Sequence, residues 1–133
     1  MPFSEIFYHA AMGIDTSENP VHGVTAKLVA TKLEDELDNI GCFPVAVGLM
    51  PDHAHILFGA PAEASPDAII TALKEATSEL VSGMGRDEQL IWKREYGVVS
   101  VSRSHLDIVE DYVRTQQERH SSGKVNKTLE RME

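Results

Sequence analysis

The chain has 133 residues, of which 42% are hydrophobic and 25% are charged, and it contains one cysteine, Cys42. This balance indicates a single folded domain rather than a disordered chain, and a lone cysteine excludes an internal disulfide or a thiolate zinc cluster. The sequence has neither an apolar run of about 20 residues nor a basic and apolar leader, so we expect a cytoplasmic protein.

The net charge of -9 argues at first against a nucleic-acid partner, because phosphate binding ordinarily depends on a basic surface. The charge is uneven, however. Residues 1–89 contain 4 Lys and Arg against 14 Asp and Glu, whereas residues 90–133 contain 8 against 7. We therefore expect an anionic ligand to approach the C-terminal third. The cations there that could form a basic stripe are Lys93, Arg94, Arg103, Arg114, Arg119, Lys124 and Lys127.

The first half of the chain predicts a strand, a helix and a hairpin. The strand is rich in aromatic and apolar residues and stops before Gly13. The helix has apolar residues at helical spacing between acidic ones, and Gly41 ends it. A tight turn at Pro51-Asp52 joins the two hairpin strands. The predicted ranges are 3–12 for the first strand, 25–40 for the helix, and 43–50 and 53–58 for the hairpin.

The second half predicts a helix, a strand and a final helix. A serine in the N-cap position followed by proline begins the helix over 66–83. Three valines within 96–102 predict a fourth strand. Ser104 with Asp107 three residues later resembles a capping box, and we expect the last helix to extend from there to about His120.

This order of elements suits an α+β, ferredoxin-like fold, in which two helices cover one face of a four-stranded antiparallel sheet. The C-terminal helix is surplus to that plan, and it carries Tyr112. Residues 121–133 contain few apolar side chains. We therefore expect one domain over residues 1–120 followed by a flexible tail over residues 121–133.

Two histidines separated by one residue lie on the third predicted strand. Alternate residues of a strand share a face, so His53 and His55 direct two imidazoles to one point while Ala54, Ile56 and Phe58 face the helices. Such a pair is half of a metal site. Strand histidines are nevertheless more often surface or partly buried polar residues, and the spacing alone leaves both interpretations open.

Tyr112 and Gln116 are four residues apart on the last predicted helix, so they share one of its faces. The ordinary interpretation is a packed tyrosine with a solvated tip and a solvated glutamine. The alternative is that the tyrosine hydroxyl reaches a polar site. Tyr96 offers a second candidate hydroxyl, although its place near Trp92 at a strand start favours packing or DNA contact.

Together these residues resemble the single-tyrosine HUH transposases of small bacterial insertion sequences and their relatives, the repeat-associated tyrosine transposases. The resemblance covers residues 5–117, and its most specific string is Met-Pro-Asp-His-x-His at 50–55. The matching segments are Tyr8-His9, Gly48 to Leu57, Leu73-Lys74, Trp92-Lys93-Arg94 with Tyr96, and Asp111 to Gln116.

The resemblance implies that the protein cuts and rejoins single-stranded DNA through a 5′-phosphotyrosine, with Tyr112 as the nucleophile. It further implies that His53, His55 and Gln116 hold Mg²⁺ or Mn²⁺ as a neutral ligand set. Asp52 either orients one histidine or caps the hairpin turn.

The resemblance also implies DNA partners with hairpin ends and a homodimer in which the tyrosine helix of one subunit completes the site of the other. One departure concerns residues 13–20, which lack the Lys and Arg that many relatives carry after the first strand. This departure keeps an alternative open, namely a domesticated or decayed relative that binds nucleic acid or regulates without transposition. The candidates for DNA contact are Lys93, Arg94, Arg103, Arg114 and Arg119.

Overall fold

The structure is a computed structural model that describes residues 3–116 and 123–132. Within these ranges, no helix is long and apolar enough to cross a membrane. The strands are β1 (Ile6–Asp15), β2 (Phe43–Met50), β3 (His53–Ala60) and β4 (Ile91–Val101). The helices are α1 (Gly23–Asn39), α2 (Pro66–Gly83), a short 3-10 helix (Arg103–His105), α3 (Leu106–Arg114) and α4 (Lys127–Glu130).

The four strands form one antiparallel sheet, as predicted for the α+β fold. Their order in the sheet is β2-β3-β1-β4. The two central strands, β3 and β1, are therefore paired on both sides. In register, His53 lies between Gly13 and Met50, and His55 lies between Ala11 and Gly48. Residues in one such row project from the same face of the sheet, so the pairing fixes what surrounds each histidine.

Helices α1 and α2 cover one face of the sheet and enclose the larger core. Leu33, Leu37 and Leu73 from the helices are fully buried, together with Ile56 and Phe58 from β3. The predicted alternation of β3 is confirmed because its apolar even-numbered positions face the helices. Burying side chains of this size stabilises the fold by about 1.5–3 kcal/mol each.

Helix α3 covers the opposite face of the sheet. Its buried residues, Val109, Tyr112 and Val113, recur at helical spacing and pack with Leu57 and Leu129 in a second cluster. The last helix is therefore no surplus element, because it closes the second face. It ends at Arg114, where the prediction extended to about His120, and residues 117–122 lie outside the described part of the chain.

Strands β1 and β4 differ most from the prediction, and β3 extends two residues further than predicted, to Ala60. Strand β1 begins and ends three residues later, because it continues through Gly13 across an irregularity between Met12 and Ile14. Strand β4 begins at Ile91 rather than at residue 96. Ile91 and Trp92 pair with Asp15 and Ile14 of β1, and the exposed charged residues 93–95 that follow interrupt the apolar pattern on which the prediction rests.

The predicted capping box at Ser104 is wrong. Ser104 lies inside the 3-10 helix, and α3 starts after it at Leu106 without a hydrogen-bonded side-chain cap. The Ser104 hydroxyl lies 3.0 Å from that of Ser102 instead. Asp107 remains in the first turn of α3, where its negative charge suits the helix dipole.

Residues 123–132 dock on the sheet, although they fall in the segment expected to be a flexible tail. Leu129 is buried in the second cluster, and the Asn126 side chain caps α4 by accepting the backbone N–H groups of Thr128 and Leu129. A few scattered apolar side chains in a polar segment are a weak sequence signal. Residues 121, 122 and 133 lie outside the described part.

Candidate active site

His53 and His55 project from β3 toward α3, on the face that α1 and α2 leave open. Both side chains are buried, and their ring centroids lie 5.0 Å apart at an interplanar angle of 77°. In the row of paired residues that contains His55, the residues on the other three strands are all small, namely Gly48, Ala11 and Gly97. These small residues leave room above the histidines for other polar groups.

Gln116 reaches His53 from two residues beyond the end of α3. Its Oε1 lies 3.1 Å from His53 Nε2, and its Nε2 donates to the Gly48 carbonyl at 3.2 Å, which fixes the orientation of the amide. A Cβ atom at position 48 would lie 2.5 Å from both Gln116 Nε2 and the Val113 carbonyl oxygen. Gly48 therefore permits the close approach of α3 to the sheet.

Glu130, the last residue of α4, is a member of the site that the sequence analysis missed. Its Oε1 lies 3.0 Å from His55 Nε2 and 3.4 Å from His53 Nε2. His53, His55 and Glu130 each offer an atom within 4.8 Å of the others and so form a group that can hold a metal ion. The sequence signals for this docking are weak, namely Asn126 as a helix cap and Leu129 among a few scattered apolar residues.

Tyr112 is buried on α3 and directs its hydroxyl to the same carboxylate. The hydroxyl donates to Glu130 Oε2 and accepts the backbone N–H of Asn126 at 2.8 Å. The Tyr112 ring lies 5.8 Å from the ring of His55, centroid to centroid. The Glu130 carboxylate thus contacts the two imidazoles through one oxygen and the phenol through the other.

Asp52 precedes His53 in the chain and forms a hydrogen bond with its Nδ1 atom. His53 Nδ1 lies 2.6 Å from Asp52 Oδ1, and since a carboxylate accepts, Nδ1 carries the proton. The other ring nitrogen of His53, Nε2, faces the oxygens of Gln116 and Glu130. Of the two alternatives for Asp52, this contact favours orientation of the histidine.

His9 is a buried residue of β1 that contacts His55 at Nδ1, the ring nitrogen that faces away from Glu130. Its Nε2 lies 2.7 Å from His55 Nδ1. Burial, followed by the charge of His55, lowers the pKa of His9 to about 3, and a backbone hydrogen bond at its own residue opposes that shift. His9 is therefore neutral at physiological pH.

The donor set fits a divalent cation. Two imidazole nitrogens, an amide oxygen and a carboxylate oxygen converge, and such oxygens are ligands that Mg²⁺ and Mn²⁺ prefer. The closest pairs of these atoms lie 3.0–3.4 Å apart, and those of His53, His55 and Glu130 all lie within 4.8 Å of one another. Burial raises the pKa of Glu130, but hydrogen bonds from Tyr112 and His55 and the charge of the imidazoles outweigh it, so the pKa lies below its usual value. The set is therefore anionic rather than neutral.

The predicted DNA-contacting cations are not all near the site. Lys93 lies against Gly13, the residue that pairs with His53 across the sheet. Lys93 and Glu130 both line a small pocket. Arg94 is exposed, and its carbonyl accepts Lys74 Nζ. Arg103 pairs with Glu5 and Arg114 with Glu110, at 2.6 and 2.9 Å. Arg119 lies outside the described residues.

Tyr96 occupies the other face of the sheet. It packs on the larger core, and its hydroxyl donates to Asp67 while Lys74 Nζ lies 5.3 Å from the ring centroid. The sheet therefore separates Tyr96 from the two histidines. Of the two candidate hydroxyls, only that of Tyr112 lies with the histidines in the described part of the chain.

Comparisons with known proteins concern the family and the fold. The family model described as "Transposase IS200 like" matches residues 3–116. A Deinococcus radiodurans R1 protein provisionally assigned as a transposase has a similar structure, with a TM-score of 0.67 and 21% identity over 86% of this chain and 93% of that one. The structure of a REP-associated tyrosine transposase bound to a REP hairpin is also similar, with a TM-score of 0.68 and 9% identity. The match covers 90% of this chain and 72% of that one. These two likenesses concern the fold. No curated protein matches the sequence.

Proposed function

Since the chain belongs to the IS200-like transposase family, and is thereby a DNA transposase, we propose that it cuts and rejoins single-stranded DNA with Tyr112 as the nucleophile. The observation that carries this proposal is the position of the Glu130 carboxylate. One of its oxygens accepts the Tyr112 hydroxyl, and the other lies 3.0 Å from His55 Nε2. The candidate nucleophile and the candidate metal ligands therefore meet at one point.

In the proposed step, the Tyr112 oxygen forms a bond to the scissile phosphorus, and the bond from phosphorus to the 3′-oxygen breaks. The phenol gives up one proton and the departing 3′-oxygen takes one up. The products are a 5′-phosphotyrosine and a free 3′-hydroxyl. Because one phosphoester replaces another, attack of a 3′-hydroxyl on the phosphotyrosine reverses the step without a high-energy cofactor.

The residues around Tyr112 hold its oxygen in place. Glu130 Oε2 accepts its hydrogen bond, and the Asn126 N–H donates to the same oxygen at 2.8 Å. A free phenol has a pKa of about 10, so the nucleophile needs assistance at neutral pH.

We propose that His53, His55, Gln116 and Glu130 hold Mg²⁺ or Mn²⁺. When bound, the cation withdraws charge from the scissile phosphate. Glu130 places negative charge beside Tyr112, and Asp52 places it beside His53. A phosphate approaching these carboxylates would be repelled without compensation. The ligand residues thus both attract the cation and make the reaction depend on it.

We propose single-stranded DNA with a hairpin end as the partner. The solved relative that is bound to a REP hairpin supports this choice, and Lys93 is the candidate cation beside the site. A homodimer with composite sites remains our proposal for the assembly, although here Tyr112 approaches the histidines of its own chain. Mixing Tyr112→Phe subunits with His53→Ala subunits tests the assembly. If neither variant cuts DNA by itself but their mixture does, the active site is shared between subunits.

A second candidate function is binding or regulation without strand transfer. The observation that favours it is the engagement of Arg103 and Arg114 in ion pairs on an acidic chain, which leaves fewer cations for DNA. Incubation with labelled hairpin DNA and Mn²⁺ separates the two. Cleavage that Tyr112→Phe abolishes and Tyr96→Phe preserves supports strand transfer. Salt-sensitive binding without cleavage supports the second candidate.

A further inference from the structure

His9 is a polar residue in an apolar position of the sheet. It is 1% exposed, and its cross-strand partners are Leu57 on β3 and Val99 on β4. Burying an imidazole here is unfavourable unless its nitrogens find hydrogen-bond partners. The partner of Nε2 is His55 Nδ1 at 2.7 Å, and the two ring centroids lie 4.8 Å apart.

We propose that His9 is a positioning residue that accepts the Nδ1–H of His55 and thereby fixes the tautomer whose Nε2 lone pair points into the cation site. The inference rests on the proposed function, because it takes His55 to be a metal ligand. It adds a residue that touches neither the cation nor the DNA.

The direction of this hydrogen bond follows from the proposed role of the other nitrogen of His55. When His55 Nε2 ligates the cation, the one proton of the neutral imidazole lies on Nδ1. The atom that faces Nδ1 is His9 Nε2 at 2.7 Å, and it accepts this proton through its lone pair.

The consequence for His55 concerns its Nε2 atom. A neutral imidazole carries one proton, and a nitrogen that carries it cannot ligate a metal. With the proton held on Nδ1, Nε2 is left to ligate where it faces Glu130 Oε1 at 3.0 Å. Asp52 acts in the same way on His53 at 2.6 Å. The two histidines are thus oriented by different partners, an exposed carboxylate for His53 and a buried neutral imidazole for His55.

The test compares two substitutions of His9 in the full chain. His9→Gln keeps an acceptor oxygen, whereas His9→Leu removes it and leaves an apolar side chain among apolar neighbours. Leu57→Met is the matched control, because it alters packing beside His9 at nearly constant volume. Mn²⁺ affinity is measured by the electron paramagnetic resonance signal of the free ion, and thermal unfolding reports on the fold.

We expect His9→Leu to bind Mn²⁺ about 10–100-fold more weakly than wild type, the usual effect of losing a hydrogen-bond partner of a ligating histidine. His9→Gln and Leu57→Met should stay within about threefold of wild type. Equal affinities for wild type and His9→Leu, or equal losses for His9→Gln and His9→Leu, would overturn the inference while leaving the metal site itself intact.

A spectroscopic measurement on the wild type decides the matter even where His9→Leu fails to fold. Long-range ¹H–¹⁵N spectra of the Mg²⁺-loaded protein distinguish the two tautomers of each histidine. We expect a proton on His55 Nδ1, and a proton on Nε2 would overturn the inference. A wild-type protein that binds no Mn²⁺ and cuts no DNA would instead contradict the proposed function together with this inference.

Discussion

The Tyr112 hydroxyl donates a hydrogen bond to Glu130 Oε2, while Glu130 Oε1 lies 3.0 Å from His55 Nε2. A single carboxylate from the C-terminal segment therefore connects the candidate nucleophile to the candidate metal ligands. Its position gives the short helix α4 a role in the site.

Glu130→Gln keeps the shape of the side chain and removes its charge. We expect Mn²⁺ binding to weaken by at least about tenfold, because even indirect partners of metal ligands contribute that much. Glu63→Gln, at an exposed position, is the control for the change in net charge. Titration with Mn²⁺ checks both variants, and an unaltered affinity in Glu130→Gln would remove Glu130 from the ligand set.

Gly97→Ala tests the docking of the C-terminal segment. A Cβ atom at residue 97 would collide with the backbone of Arg131, so the segment must move and withdraw Glu130. We expect weaker Mn²⁺ binding with a nearly unchanged sheet. The control is Gly83→Ala, where a Cβ atom meets no neighbour within 4 Å. Equal Mn²⁺ affinities in these two variants would show that the segment does not need to dock.

Asp52→Asn separates the two interpretations of Asp52. Asparagine suits a tight turn as well as aspartate does, so a residue that only caps the hairpin tolerates the change. If the carboxylate orients His53, we expect Mn²⁺ affinity to fall about tenfold with little change in melting temperature. Calorimetry and Mn²⁺ titration of the same sample measure the two quantities. A lower melting temperature with unaltered affinity would favour capping alone.

Lys93→Ala and Arg103→Ala form a pair that tests the DNA path. Lys93 lies beside the site, whereas Arg103 pairs with Glu5 just before β1, about 26 Å from Gly13 along the strand. We expect Lys93→Ala to weaken binding of single-stranded DNA and to reduce the salt slope by about 0.7. Arg103→Ala should bind as wild type. The reverse order of effects would place the DNA elsewhere.

The parts of the site that depend on a repeating pattern were predictable from the sequence. The two-residue period of a strand placed His53 and His55 on one face, and the helical period placed Tyr112 among the buried residues of α3. Helix α2 began at its predicted cap, Ser65, and ended as expected. Each of these features is encoded within a few neighbouring residues.

Glu130 and His9 could not be predicted in this way. Glu130 reaches the site because Leu129 fills a gap between the sheet and α3, and because Gly97 admits the backbone of Arg131. His9 meets His55 only because β1 and β3 pair in one register. Both contacts join residues far apart in the chain, and no local pattern records them.

The most direct test of the central claim is the identity of the residue that becomes linked to DNA. The protein is incubated with Mn²⁺ and hairpin-bearing single-stranded DNA, digested with protease and nuclease, and analysed by mass spectrometry. We predict a nucleotide on the peptide that contains Tyr112, lost in Tyr112→Phe and retained in Tyr96→Phe. A nucleotide on the peptide that contains Tyr96, or DNA cleavage that survives in Tyr112→Phe, would contradict the account.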